Sequence, residues 1–79
     1  PMPAIRILYF ASLRERVGRA SAELPGDDPL TVAEAWSRLN PALPLPPNTL
    51  AAINHEYVDL GAPVRGGDEL AFFPPVTGG

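Results

Sequence analysis

Apolar and polar positions alternate with a period of two near the start of the chain, and this predicts a strand over residues 4–10. Ile5, Ile7 and Tyr9 fall on one face, and Arg6, Leu8 and Phe10 on the other. Both faces are largely apolar, so the strand is central with a covered second face, or it presents an apolar patch to a partner. Ser12 followed by Glu15 fits a capping box, and Leu13 and Val17 stand four apart before Gly18. A helix of about two turns is expected there. Residues 19–24 read as a second strand, ended by the turn Pro25-Gly26-Asp27-Asp28-Pro29.

The period then changes to that of a helix. Thr31 as N-cap, Glu34 three residues on, and Val32, Ala35, Trp36 and Leu39 at helical spacing predict the main helix, which Asn40-Pro41 stops. Trp36 belongs to the core by this spacing. Pro41, Pro44, Pro46 and Pro47 stiffen the crossing loop that follows. Residues 50–54 and 56–59 read as short strands with His55 at their junction, a turn side chain without a second metal ligand near it. Gly66-Gly67-Asp68 forms a tight turn, not a phosphate loop, because a final strand over residues 69–73 follows it and no helix does. Pro74-Pro75 ends that strand.

The resulting order, β-α-β-α-β-β-β, is expected to pack as an α+β domain, a mixed sheet on one main helix. Its first and last strands could pair in parallel at the centre. With 79 residues the chain has room for one core. The expected division is a domain over residues 1–73 and a projecting arm over 74–79.

Composition then removes whole classes of chemistry. There is no cysteine, so disulfides, iron–sulfur ligation and a thiol nucleophile are excluded, and one histidine leaves little from which to build a metal site. No bound cofactor and no metal are expected. The net charge is −3, and every basic residue is an arginine (Arg6, Arg14, Arg16, Arg19, Arg38 and Arg65), which argues against nucleic-acid binding. No apolar run approaches the roughly 20 residues of a membrane span, and no leader-like segment opens the chain. A cytoplasmic protein without membrane contact is expected, with translation starting at Met2.

The candidate chemistry lies in the last six residues, Pro74-Pro75-Val76-Thr77-Gly78-Gly79. Extended at about 3.3 Å per residue they reach roughly 20 Å, with a stiff base and a tip slim enough for a narrow channel. Two readings are open: a frayed tail, or an arm that carries the carboxyl group of Gly79 into another protein. A free carboxylate is ionised and unreactive at neutral pH. Using it requires activation, most simply as an acyl-adenylate made with ATP, after which a sulfur donor can make a thiocarboxylate. The apolar Phe72-Phe73-Pro74-Pro75-Val76 favours the second reading, since an exposed apolar arm needs a partner.

The run Asp68-Glu69-Leu70-Ala71-Phe72-Phe73-Pro74-Pro75-Val76-Thr77-Gly78-Gly79 closely resembles the carboxyl end of the molybdopterin synthase small-subunit family, the MoaD-like sulfur carriers. Ile5-Arg6-Ile7-Leu8-Tyr9-Phe10-Ala11, Leu13-Arg14-Glu15 and Ala51-Ala52-Ile53-Asn54 resemble it at matching places. The resemblance implies a ubiquitin-like β-grasp fold and adenylation of Gly79, behind Gly78, by an E1-like adenylating enzyme that uses ATP. It further implies sulfur transfer to cyclic pyranopterin monophosphate in molybdenum cofactor biosynthesis. It also implies a synthase large subunit that supplies the catalytic residues, in a heterotetramer with a carrier at each end. Thiazole-synthesis sulfur carriers share the fold and the Gly-Gly end but usually lack Phe-Phe-Pro-Pro. A ubiquitin-like protein modifier would also use an adenylated Gly79.

Leu8, Phe10 and Phe73 share one sheet face by alternation, and Tyr57 joins them if its strand pairs alongside. They form either a docking patch, together with Pro74, Pro75, Val76 and Thr77 of the arm, or a second small core under the first helix and loop. Asp68 and Glu69 could pair with arginines of a partner, as could Asp27 and Asp28.

Overall fold

A computed structural model describes residues 3–75. The elements in chain order are β1 (Ile5–Tyr9), α1 (Ser12–Val17), β2 (Ser21–Leu24), β3 (Leu30–Thr31), α2 (Val32–Leu39), β4 (Leu50–Ile53), β5 (Glu56–Val58), β6 (Pro63–Val64) and β7 (Glu69–Phe73). Five strands form a mixed sheet in the order β2-β1-β7-β4-β5, and β3 pairs with β6 as a separate ribbon. β1 and β7 run parallel at its centre, Arg6 opposite Glu69 and Tyr9 opposite Phe72, and the other three pairs are antiparallel. This is the α+β arrangement expected from the sequence, with α2 lying on one face of the sheet.

The core follows from the alternation. Ile5, Ile7 and Tyr9 of β1, Leu70 and Phe72 of β7, and Val32, Ala35 and Trp36 of α2 are buried together. Three aromatic rings form its centre. Trp36 meets Tyr9 edge-on (ring centroids 5.8 Å apart) and Phe72 edge-on (5.1 Å), while Tyr9 and Phe72 stack at 6.0 Å. The polar atoms of this cluster are satisfied. Trp36 Nε1 donates to the Leu43 carbonyl at 2.8 Å, which ties down the proline-rich loop, and Asn40 Nδ2 donates to Tyr9 Oη at 3.2 Å.

The start of α2 is a full capping box. Thr31 Oγ1 accepts from the Glu34 amide at 3.1 Å, and Glu34 Oε1 accepts from the Thr31 amide at 2.8 Å. The bond from the Thr31 backbone, and then the Thr31 side chain, hold the Glu34 carboxyl below the usual carboxylate range.

The capping box expected at the first helix does not form. Ala11, not Ser12, occupies the N-cap position, with φ 53° and ψ −130°, and no side chain caps the helix. The chain reverses so sharply after Phe10 that Ser12 is already helical: Leu13 N–H donates to the Phe10 carbonyl at 3.1 Å. Ala11 thus has the dihedrals of the first central residue of a type II′ turn, where glycine is favoured.

Four strands are shorter than expected: β1 spans Ile5–Tyr9, β2 starts at Ser21, β4 stops at Ile53 and β5 at Val58. Asn54 and His55 take positive φ (50° and 73°) and make a two-residue hairpin turn between β4 and β5. The β3–β6 ribbon was not expected, because two residues per strand are too few for alternation to register. At Gly66 an added Cβ would run into the Pro3 carbonyl and the backbone of Gly26, and Gly67 turns the chain at φ 92°.

Two outcomes follow for stability. Thr31→Ala should lower it by about 1 kcal/mol in urea unfolding, the usual cost of losing a helix cap. Because Glu34 has a depressed carboxyl pKa, its contribution is present above the unfolded-state carboxylate pKa and fades as pH falls through the folded-state value. The gap between wild type and Thr31→Ala should therefore narrow in acid. Ala11→Gly should raise stability by about 1 kcal/mol, read as a higher thermal midpoint, by removing strain from the turn before α1.

Candidate functional site

The face of the sheet opposite α2 carries every other residue of each strand. From β1 it presents Arg6 and Leu8, continued by Phe10; from β7, Glu69, Ala71 and Phe73; from β4, Leu50 and Ala52; from β5, Tyr57. Register lines these residues up in rows. Leu8, Ala71, Ala52 and Tyr57 form one row, and Phe73 lies opposite Leu50 in the next. Because β1 and β7 are parallel, Phe10 and Phe73 emerge side by side at the same end.

Their rings stack face to face, 4.8 Å apart and 4° from parallel, and Tyr57 leans toward Phe73 at 6.1 Å. Phe10 is 41 % exposed and Tyr57 71 %, while Leu8 and Phe73 are half-buried. Leu50, Ala52 and Ala71, which sequence reasoning did not single out, complete the face. Ala52 and Ala71 are nearly covered by their larger neighbours. The second-core alternative does not form: Leu13 of α1 joins the main core, and Phe10 and Tyr57 face solvent.

β7 ends at Phe73, Pro74 is half-buried beyond it, and Pro75 is exposed. Val76, Thr77, Gly78 and Gly79 lie outside the described residues. The stacked aromatic pair therefore sits at the base of the carboxyl-terminal segment.

The other end of the same face is polar and internally bonded. Asn54 Nδ2 donates to Asp68 Oδ1 at 3.0 Å, its Oδ1 accepts from the Glu69 amide at 3.0 Å, and its own amide donates to the Glu69 carbonyl at 2.8 Å. The Arg65 amide donates to Asp68 Oδ2 at 2.9 Å. Asp68, considered above for a partner's arginine, is thus occupied on both oxygens in holding the turn before β7. Glu69 lies 3.6 Å from His55 Nε2, and His55 is almost fully exposed, so that pair contributes little.

Among the described residues no three His, Cys, Asp or Glu side chains converge as a metal site, and no helix is long and apolar enough to cross a membrane. Glu34, whose carboxyl is held low by its bonds to Thr31, caps α2 on the opposite face of the sheet. The arrangement offers a recognition surface at the root of the carboxyl-terminal segment, built mainly from apolar and aromatic groups.

Residues 7–79 match the ThiS family. The chain is 40 % identical to the molybdopterin synthase sulfur carrier subunit of Escherichia coli (strain K12), over 95 % of this chain and 99 % of that protein. It is 30 % identical to the protein of the same description from Homo sapiens, over 100 % and 98 %. Its fold superposes on the small archaeal modifier protein 1 of H. volcanii with a TM-score of 0.77 at 31 % identity, covering 94 % of this chain and 99 % of that one. With a five-stranded mixed sheet, parallel central strands and one packed helix, the fold is the β-grasp. The chain belongs to the ThiS family of ubiquitin-like proteins and, within it, to the molybdopterin synthase sulfur carrier subunits.

Proposed function

We propose that this sulfur carrier of molybdopterin biosynthesis acts through the carboxyl group of Gly79, on an arm of residues 74–79 projecting from a domain of residues 1–73. A carboxylate oxygen of Gly79 attacks the α-phosphorus of ATP on an E1-like adenylating enzyme and pyrophosphate leaves. A sulfur nucleophile then displaces AMP from the acyl carbon, and the product is a thiocarboxylate. Its sulfur is a far better nucleophile than a carboxylate oxygen and is delivered, tethered, to cyclic pyranopterin monophosphate in the active site of the synthase large subunit. Gly78 lacks a Cβ and lets the tip pass through the channel.

Being a subunit of molybdopterin synthase, the chain has the large subunit as a partner. In our reading Leu8, Phe10, Tyr57 and Phe73 dock on it while Pro74, Pro75, Val76 and Thr77 line the entering arm. Two carriers sit at the ends of a heterotetramer in the cytoplasm. The observation that carries this is the stacked Phe10–Phe73 pair beside Pro74-Pro75, with Phe10 exposed and Phe73 half-buried: stacked rings at the root of a chain end form a pre-organised anchor. A second reading, conjugation of Gly79 to protein lysines, rests on the likeness to the small archaeal modifier protein.

Mass spectrometry separates the two. Incubated with ATP, the adenylating enzyme and a sulfide source, the intact chain should gain the mass of one sulfur-for-oxygen exchange at its terminus. A chain lacking Gly79 should gain nothing while folding normally. Conjugates on lysines without that exchange would favour the modifier reading.

Docking has its own test. Phe10→Asp should weaken binding to the large subunit about 30-fold or more, corresponding to about 2 kcal/mol, with little change in thermal midpoint. Unchanged affinity in calorimetric titration would remove the aromatic face from the interface.

A further inference from the structure

Where β4 and β5 diverge, at the arm end of the sheet, a notch of about 540 Å³ opens beside the aromatic face. Its walls include Thr49 and Leu50 on the β4 side and Tyr57, Val58 and Leu60 on the other, and they carry one charged group, Asp59. Leu50 and Tyr57 belong to both the notch and the face, and Leu50 lies opposite Phe73 at the arm's root. The notch is therefore continuous with the surface assigned to docking.

Asp59 is the informative residue. Its carbonyl accepts from the Ala62 amide at 3.0 Å and so helps turn the chain, but its exposed carboxylate has no hydrogen-bond or ion-pair partner among the described residues. Asp68 is the contrast, since both of its oxygens have intrachain donors. Asp59 thus has a side chain that the fold does not use, among the apolar groups of a concave site.

We infer that the notch seats a basic side chain, arginine or lysine, of the synthase large subunit, with Asp59 as its counter-charge; this rests on the docking reading given above. The chemistry selects the occupant. Leu50, Val58 and Leu60 suit a methylene stem, and Asp59 suits the cationic head at its end. An apolar occupant would strip water from Asp59 and leave a carboxylate unpaired, whereas a cation satisfies it. An acidic occupant would face Asp59 and the −3 net charge of the chain. The ion pair thus adds selectivity beside an anchor that is apolar.

The test is a titration of the full-length chain onto the large subunit from the same organism, at several salt concentrations. Asp59→Asn should raise Kd about five- to tenfold at low ionic strength, Asp59→Arg should raise it further, and Asp59→Glu should stay near wild type. The difference between wild type and Asp59→Asn should shrink as salt is added, and the salt dependence of the Asn variant should be shallower. Equal thermal midpoints confirm that folding is not the cause. Wild-type binding by both the Asn and Arg variants, or an unchanged salt slope, overturns the inference. Phe10→Asp in the same titration separates the two levels. If it weakens binding while Asp59→Arg does not, the face stands and the notch falls; if neither weakens binding, both fall.

Discussion

The parallel pairing of β1 with β7 is the constraint on which the rest of the structure depends. Parallel neighbours cannot be joined by a tight turn, so the whole chain between them serves as one long connection, carrying α2 across the sheet on the way. The pairing is anchored at both ends, by the Arg6 amide on the Asp68 carbonyl at 3.0 Å and the Phe10 amide on the Phe72 carbonyl at 3.1 Å. It also brings Tyr9 and Phe72 together beneath Trp36, the three largest buried side chains. Because the two strands point the same way, whatever follows each of them emerges at one end of the domain. Phe10 meets Phe73 for that reason, and the segment beginning at Pro74 starts beside them.

That same pairing makes β7 a good place from which to extend a working chain end. A terminal segment continued from an edge strand would hang on one hydrogen-bond ladder and fray with it. β7 is held on one side by β1 and on the other by β4, with Leu70 and Phe72 fully buried beneath. Local opening is costliest in such central, doubly paired strands. Phe73, the last residue of β7, is therefore held firmly on the domain.

The residues most legible in the sequence were those whose signal is local. Thr31 and Glu34 announce α2 because both halves of a capping box lie within four residues, and Trp36 is placed in the core by the spacing of Val32, Ala35 and Leu39. The period-two pattern assigns Phe10 and Phe73 to one face without any knowledge of pairing. What escaped depends on partners distant in sequence or on backbone dihedrals. Ser12 looks like a cap until Ala11 turns the chain at positive φ. Asp68 looks free until Asn54, fourteen residues away, is found bonded to it. Leu50, Ala52 and Ala71 complete the face only once the register of β4 against β7 is known, and the notch at Asp59 exists only because β4 and β5 diverge there. Their chemistry was visible; their convergence was not.

The two ends of the outer face solve opposite problems. At the polar end, the Asn54 side chain, the Asp68 carboxylate and the Glu69 backbone satisfy one another. At the other end, Phe10 is exposed and Phe73 half-buried, and stacking reduces the apolar surface left in water because each ring hides one face on the other. Stacking also fixes the rings before any partner arrives, so less rotamer freedom is lost on docking than with two independent side chains. In the proposed cycle the carrier must leave the adenylating enzyme before it can serve the synthase, which requires an anchor of limited area that releases as readily as it binds. A small, rigid aromatic pair meets that requirement better than a broad apolar surface would. A single counter-charge at Asp59 can then bias the choice of partner without making the complex permanent.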